Sequence, residues 1–323
     1  MEMDVAQVDS LYDAFCNSVP TGLCEPARHL AFTLGLAPCR DVPWSAVFNH
    51  EVTLAAPRLV AEALPEIGRD LVREAMRAHL LAIVEAFATD RVEDGQVRAT
   101  NELQSLRVAL RAERDLALKR VVSGAPLRVD YAMADRQTLH AIRRERQMLA
   151  GETAVTLGLY EAVSAGKQSM GLPASLGLAL AAGWQDRRVR ALERLLLSVW
   201  LGLQEHDDTT DWEEDARGSG AWVICLARGA APGDLRLSRG SPWEMRRSAV
   251  HEAGALATLL RRAGRHFRQA ARRAAVLGAH RLAGWCAKRA LLVDDLARQE
   301  SRHPGYVVRA RALSGLLHTA GMS

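Results

Sequence analysis

An all-α fold follows from three features of the sequence. Apolar residues recur at helical spacing, as in Met76, Leu80, Ile83 and Phe87, separated by four, three and four. Long stretches are built from Ala, Leu, Arg and Glu, which are good helix formers. Val and Ile rarely alternate with polar residues, so no strand pattern emerges. At 323 residues the chain can bury a large core. It shows no fixed-period repeat, no low-complexity segment and no linker. One helical-bundle domain over residues 1–323, with residues 1–50 as an irregular arm, is therefore the simplest organisation.

Composition narrows the function classes. With 49% apolar and 25% charged residues the chain reads as a soluble globular protein. No uninterrupted apolar run is long enough to span a bilayer. The five cysteines are odd in number and none forms a CxxC pair, so free thiols in a reducing, cytoplasmic compartment are expected. The acidic Met-Glu-Met-Asp start has no apolar region of the signal-peptide kind. Net charge is only +4, yet between Ser241 and Arg289 eleven Lys and Arg face two acids, Glu244 and Glu252.

In order along the chain, residues 1–50 read as short helices broken by Pro20, Gly22, Pro26, Pro38 and Pro43, forming a lid or a packing arm. A helix is expected from Ala55 to about Leu64. The next runs from Ile67 to Asp94, with Gly95 as its C-terminal stop. Helices follow over 98–122, ending at Ser123-Gly124-Ala125-Pro126, and over 130–165, ending at Ala165-Gly166. Residues 174–183 form a short apolar helix. From 184 one long helix buries Val189, Leu192, Leu195, Leu196, Val199 and Leu203, and reaches Gly218-Ser219-Gly220. After Pro232-Gly233 a basic helical stretch covers 242–298 with a break near Gly278, and a short helix follows Gly305.

Two acid clusters break this pattern. The stripe through Phe87 continues to Asp90 and Asp94, with Glu93 beside them. In the second, Gln204 to Asp215, seven of twelve residues are acidic. There Trp200, Gln204, Asp208, Asp211 and Asp215 share a stripe. Acids at a helix C-terminus repel one another and the negative end of the dipole. Such a cluster is either a solvated face or a site awaiting cations. If the two helices are neighbours, the two sets could oppose each other across a cavity, which suits Mg²⁺ with a diphosphate.

Lys167-Gln168-Ser169-Met170-Gly171-Leu172-Pro173, then Gly177, Gly183, Gly202, Leu203 and Gln204, lead into Asp207-Asp208-Thr209-Thr210-Asp211. Over about forty-five residues this order resembles the second half of trans-polyprenyl diphosphate synthases. Asp90-Arg91-Val92-Glu93-Asp94 departs from that family's Asp-Asp-x-x-Asp and is closer to the Asp-x-x-Glu-Asp of squalene and phytoene synthases. Asp207, Asp211 and Asp215 match the spacing of the second metal motif of class I terpene cyclases. The chain is thus identified as similar to the class I isoprenoid synthase superfamily. The resemblance implies an all-α bundle and Mg²⁺, three ions with substrate bound. It implies metal ligands Asp90, Glu93 and Asp94, and Asp207, Asp208 and Asp211 with Asp215 as an optional fourth; Asp90, Asp94, Asp207, Asp208 and Asp211 would carry catalysis. Lys167, with Arg143 or Arg144, would contact diphosphate, and Gln204 would lie near the allylic end. Phe87 and Trp200, one turn before each motif, are candidate cavity walls. Glu205, Glu213 and Glu214 are expected as solvated neighbours, and Gly166 to Gly171 as a mobile element.

The families differ in their substrates. The chain-elongating type carries a Gly-Gly-Lys-Arg-like stretch near its start and paired arginines after the first acid motif. Here residues 1–50 lack that stretch and only Arg98 follows Asp94 closely. The expected activity is therefore a class I terpene synthase ionising one allylic C10–C20 diphosphate. A prenyltransferase, chain-elongating or head-to-head, is the alternative. A homodimer is common in the resembling families. A nucleic-acid-binding helical protein, resting on Arg261, Arg262, Arg265, Arg268, Arg272 and Arg273, is the distant third reading; sparse aromatics argue against a nucleic-acid partner. His206-Asp207 lacks the further histidines of a metal phosphohydrolase.

Overall fold

A computed structural model of the chain describes residues 5–48, 51–123, 130–218 and 220–311. Every regular element among them is a helix. The acidic start, most of the expected break at 123–126, Ser219 and the end of the closing segment lie outside the described residues. So do Asn49 and His50.

The arm forms α1 (Val5–Ser18), α2 (Thr21–Arg28), α3 (Leu30–Thr33) and α4 (Trp44–Val47). It is a packing arm. Leu11, Phe15, Leu30 and Leu34 share one core with Met76, Leu80 and Val84 and with Leu103, Leu106 and Leu110. Removing each such side chain from water contributes about 1.5–3 kcal/mol. α5 (Glu51–Ala61) is kinked at Ala55, where the expected helix begins. α6 (Arg69–Glu93) stops at Asp94, and Gly95 follows at φ +71°, the left-handed position that favours glycine. α7 (Asn101–Val121) starts on Thr100, whose hydroxyl accepts from the Leu103 N–H at 3.1 Å.

α8 (Tyr131–Ala150) and α9 (Leu157–Lys167) replace the single helix expected over 130–165. The break is tertiary in origin. Glu152 sits buried at φ +44°, its carboxylate paired with Arg246 and with Arg228. A 3₁₀ turn (Gln168–Gly171) leads to α10 (Pro173–Ala181), opened by proline at its first turn. α10 packs on α6 and α7. A Cβ on Gly177 would come within 2.9 Å of Val122 Cγ1, so the approach needs a glycine.

α11 (Asp186–Thr210) ends earlier than expected. Asp211 bends the chain into α12 (Trp212–Arg217), because Trp212 turns fully inward against Trp243 and His251. α13 (Trp222–Ala230), α14 (Trp243–Glu252), α15 (Ala255–Leu277) and α16 (His280–Arg302) follow, with breaks at Gly254 and, as expected, at Gly278. Residues 306–311 are helical.

The chain divides into two compact units. One comprises Met1–Ile142, Lys167–Glu193 and Ala274–Leu282; the other comprises Arg143–Gly166, Arg194–Arg273 and Ala283–Ser323. In the first, buried Arg114 of α7 donates from both terminal nitrogens to Asp135 of α8 at 2.9 Å and lies over the Tyr131 ring. In the second, α11 and α15 approach closely where a Cβ on Gly202 would meet the Phe267 ring at 3.1 Å. No helix among the described residues is long and apolar enough to cross a membrane.

Candidate active site

The first acid motif closes α6. Asp90 lies in its last turn, Glu93 is its final residue and Asp94 its C-cap, all partly buried. Three carboxylates thus crowd the negative end of the helix dipole. Lys167, the last residue of α9, offsets them: its Nζ lies 3.2 Å from Asp90 Oδ1. Residues seventy-seven positions apart, both singled out from sequence, therefore meet. Asp90 Oδ1 is buried and has no other hydrogen-bonding partner among the described residues, and the Lys167 ammonium is the charge drawn up to it. Phe87 is half-buried, its ring 4.9 Å from that of Phe48.

One turn earlier stands a group that the sequence reading missed. Buried Glu85 accepts from Thr89 at 2.9 Å and from Arg111 at 2.5 Å, and Arg107 donates to Thr89 at 2.6 Å. This network ties α6 to α7 and fixes the helix end that carries Asp90. Glu85 lies on α6 among apolar neighbours, which was its only signal.

The second motif spans the end of α11 and the start of α12, and its aspartates are not equivalent. Asp207 points outward, its side chain 59% exposed, 3.7 Å from His206 Nδ1. Asp208 is buried. Its Oδ2 accepts from the Tyr160 hydroxyl at 2.6 Å and its Oδ1 from Gln204 Nε2 at 2.9 Å. Burial first, then the charges of Asp208 and Glu205, raise the Tyr160 hydroxyl well above its ordinary range, so it remains a donor. Asp211 is paired with Arg311 and accepts from Thr210 at 2.7 Å. Desolvation raises its carboxyl, as do Asp207 and Glu214, while Thr210 and Arg311 oppose the shift. Asp215 is pushed up to about 6, by desolvation first and then by Asp211, Glu214 and Glu145. Trp200 is buried on α11; Arg143 and Arg144 are exposed on α8.

Two expectations are corrected. Glu205 is not solvated: it is fully buried, because Glu161 of α9 and Arg262 and His266 of α15 close over its carboxylate. Glu213 is largely covered and paired with Arg247 at 2.7 Å. Glu214 is exposed, as expected. Tyr160 and Arg311 had no signal in sequence, since each reaches its aspartate from a distant segment.

The donor set fits a hard divalent cation in part. Asp90 offers a buried oxygen without a hydrogen bond, and Asp207 an outward carboxylate. Asp208 has both oxygens engaged by neighbouring side chains, which makes it a support for the helix end.

No protein-family description matches the chain, and no curated protein matches it significantly. Solved structures do. The polyprenyl synthetase from Streptomyces coelicolor A3(2) superposes with a TM-score of 0.64 over 89% of this chain and 96% of its own, at 14% identity. The chain has the all-α isoprenoid synthase fold. The geranylgeranyl pyrophosphate synthase from Lactobacillus brevis ATCC 367 superposes with a TM-score of 0.65, over 89% and 95% of the two chains at 15% identity. A polyprenyl synthase from Caulobacter crescentus CB15, solved with calcium and isoprenyl diphosphate, superposes at 0.60 over 88% and 95%, at 16% identity.

Proposed function

We propose that the chain is a Mg²⁺-dependent prenyltransferase acting on an allylic isoprenoid diphosphate. The observation that carries this reading is the Lys167–Asp90 pair, 3.2 Å apart: the resemblance implies a diphosphate contact for the first and a metal ligand for the second. The fold neighbours named above, two described as polyprenyl synthases and one as a geranylgeranyl pyrophosphate synthase, support condensation over cyclisation. Asp90, Glu93 and Asp94 would hold Mg²⁺, as would Asp207 and Asp211, with Asp215 near them. Lys167 would exchange Asp90 for a diphosphate oxygen. Bound Mg²⁺ would stabilise the charge that grows on departing diphosphate. Tyr160 and Gln204 hold Asp208 and so fix the end of α11.

A terpene synthase is the second reading, favoured by one observation. The sequence has no Gly-Gly-Lys-Arg-like stretch in residues 1–50 and only Arg98 shortly after Asp94, so a second diphosphate site has no visible basic residues.

Incubation with geranyl, farnesyl and geranylgeranyl diphosphates plus Mg²⁺, with and without isopentenyl diphosphate, separates the two. Products longer by five carbons, formed only with isopentenyl diphosphate, are expected. Hydrocarbon or alcohol released from the allylic substrate alone would replace condensation by cyclisation. Absence of diphosphate release from every substrate would sink both readings.

A further inference from the structure

Three helices of the second unit bring together a ligand set outside the aspartate motifs. Glu161 of α9, Glu205 of α11 and His266 of α15 each place one ligand atom within 4.8 Å of the others. His266 Nε2 lies 3.0 Å from Glu161 Oε1 and 3.6 Å from Glu205 Oε1. In a tetrahedral zinc site, bonds of about 2.0–2.2 Å put neighbouring ligand atoms roughly 3.3–3.5 Å apart, so these separations suit one ion.

The site is also under-satisfied as a purely protein cluster. Glu205 is fully buried and its Oε2 has no hydrogen-bond partner. His266 Nδ1 is buried and lacks one too. Burying a carboxylate this deeply is costly unless a cation matches it. The guanidinium in direct contact is that of Arg262, whose Nε lies 3.3 Å from Glu205 Oε1 and whose terminal nitrogen contacts Glu161. Arg265 also favours the ionised Glu205, yet Oε2 of that carboxylate keeps no hydrogen-bond partner. The Arg262 side chain retains 17% exposure, so its head can move toward solvent on its long stem.

We propose that Glu161, Glu205 and His266 form a binding site for one divalent transition metal of the zinc class, the ion taking the place between the carboxylates that Arg262 holds. One imidazole with two carboxylates is a mixed nitrogen–oxygen set. It favours zinc-class ions over Mg²⁺, which takes oxygen ligands in octahedral geometry. A bound ion would pin α9, α11 and α15 together, next to Tyr160 on α9 and Gln204 on α11. The proposal goes beyond the prenyltransferase reading and does not depend on it, because it is tested by binding alone.

The test uses Co²⁺ as the spectroscopic probe, with the full chain stripped by a chelator and titrated in excess Mg²⁺. One Co²⁺ per chain is expected, with the visible absorption of a low-coordinate nitrogen–oxygen site and a raised Tm. Binding should weaken at least tenfold in His266→Ala and Glu205→Gln, and stay unchanged in Asp90→Asn and Asp207→Asn. Because Glu205 is buried, Glu161→Gln serves as the variant that keeps its fold; its side chain is 28% exposed and its helicity can be checked by circular dichroism. Arg262→Ala should tighten binding by removing the competing cation. No Co²⁺ retained against Mg²⁺, retention unaffected by Glu161→Gln and His266→Ala, or binding not tightened by Arg262→Ala would each overturn the proposal.

Discussion

The two acid motifs use the same residue type at similar helical spacing and end in different chemistry. At the first, the carboxylates lie at the end of α6, and the buried Oδ1 of Asp90 meets the Lys167 ammonium. At the second, the work is divided by depth. Asp208 is buried and held by Tyr160 and Gln204, Asp207 points outward, and Asp211 is taken by Arg311. A carboxylate in an acid-rich motif is thus a ligand candidate where its oxygens are open or held by a partly exposed cation that can give way, as at Asp211. Spacing puts acids on a face, and packing decides which of them stay accessible.

The largest effect is expected at the first motif. Asp90→Asn should lower Mg²⁺-dependent diphosphate release by about 10²–10³-fold, as loss of a preorganised charge does, with helicity intact. Retained activity would remove the first motif from the comparison. Lys167→Ala should raise KM for the diphosphate more than Asp90→Asn does, measured by initial rates.

At the second motif, Asp207→Asn should weaken Mg²⁺ binding more than Asp208→Asn, as read by calorimetry with a diphosphate present. Tyr160→Phe leaves a buried carboxylate oxygen short of a donor and should cost about 1–3 kcal/mol in urea unfolding. An unchanged midpoint would mean that Asp208 is not a support. Arg311→Ala should improve Mg²⁺ affinity a few-fold by releasing Asp211; no change would show that the partly exposed pair is broken in solution.

The smallest effect concerns pH. The Asp215 carboxyl is raised, so the native chain holds more protons than the unfolded chain between its ordinary 3.8 and about 6. Stability therefore falls as pH rises through that window. Asp215→Asn should flatten the dependence of Tm on pH there. Because the residue faces solvent, the change should be slight.

Much of the fold could be read in advance because local rules carried it. The stripe Met76–Phe87 and the Gly95 stop were legible, and both are local properties of one helix. The missed breaks have long-range causes. Glu152 is held in its turn by Arg228 and Arg246, and Asp211 bends because Trp212 is drawn into an aromatic cluster. For the site, Lys167 and Asp90 stood out in sequence, yet their meeting depends on where two helix ends arrive. Glu205 was misjudged because an acid among acids reads as solvated, while its burial is set by α9 and α15.

The sequence by itself determined the helical class, the extents of α6, α7 and α10 and the acid-bearing end of α6, since periodicity, propensity and stop residues act within a few turns. Only the tertiary structure decided which carboxylate meets Lys167, which is locked by Tyr160 and which is buried beside His266. Those outcomes depend on side chains reaching across dozens of residues, and desolvation there is fixed by the neighbours that packing supplies.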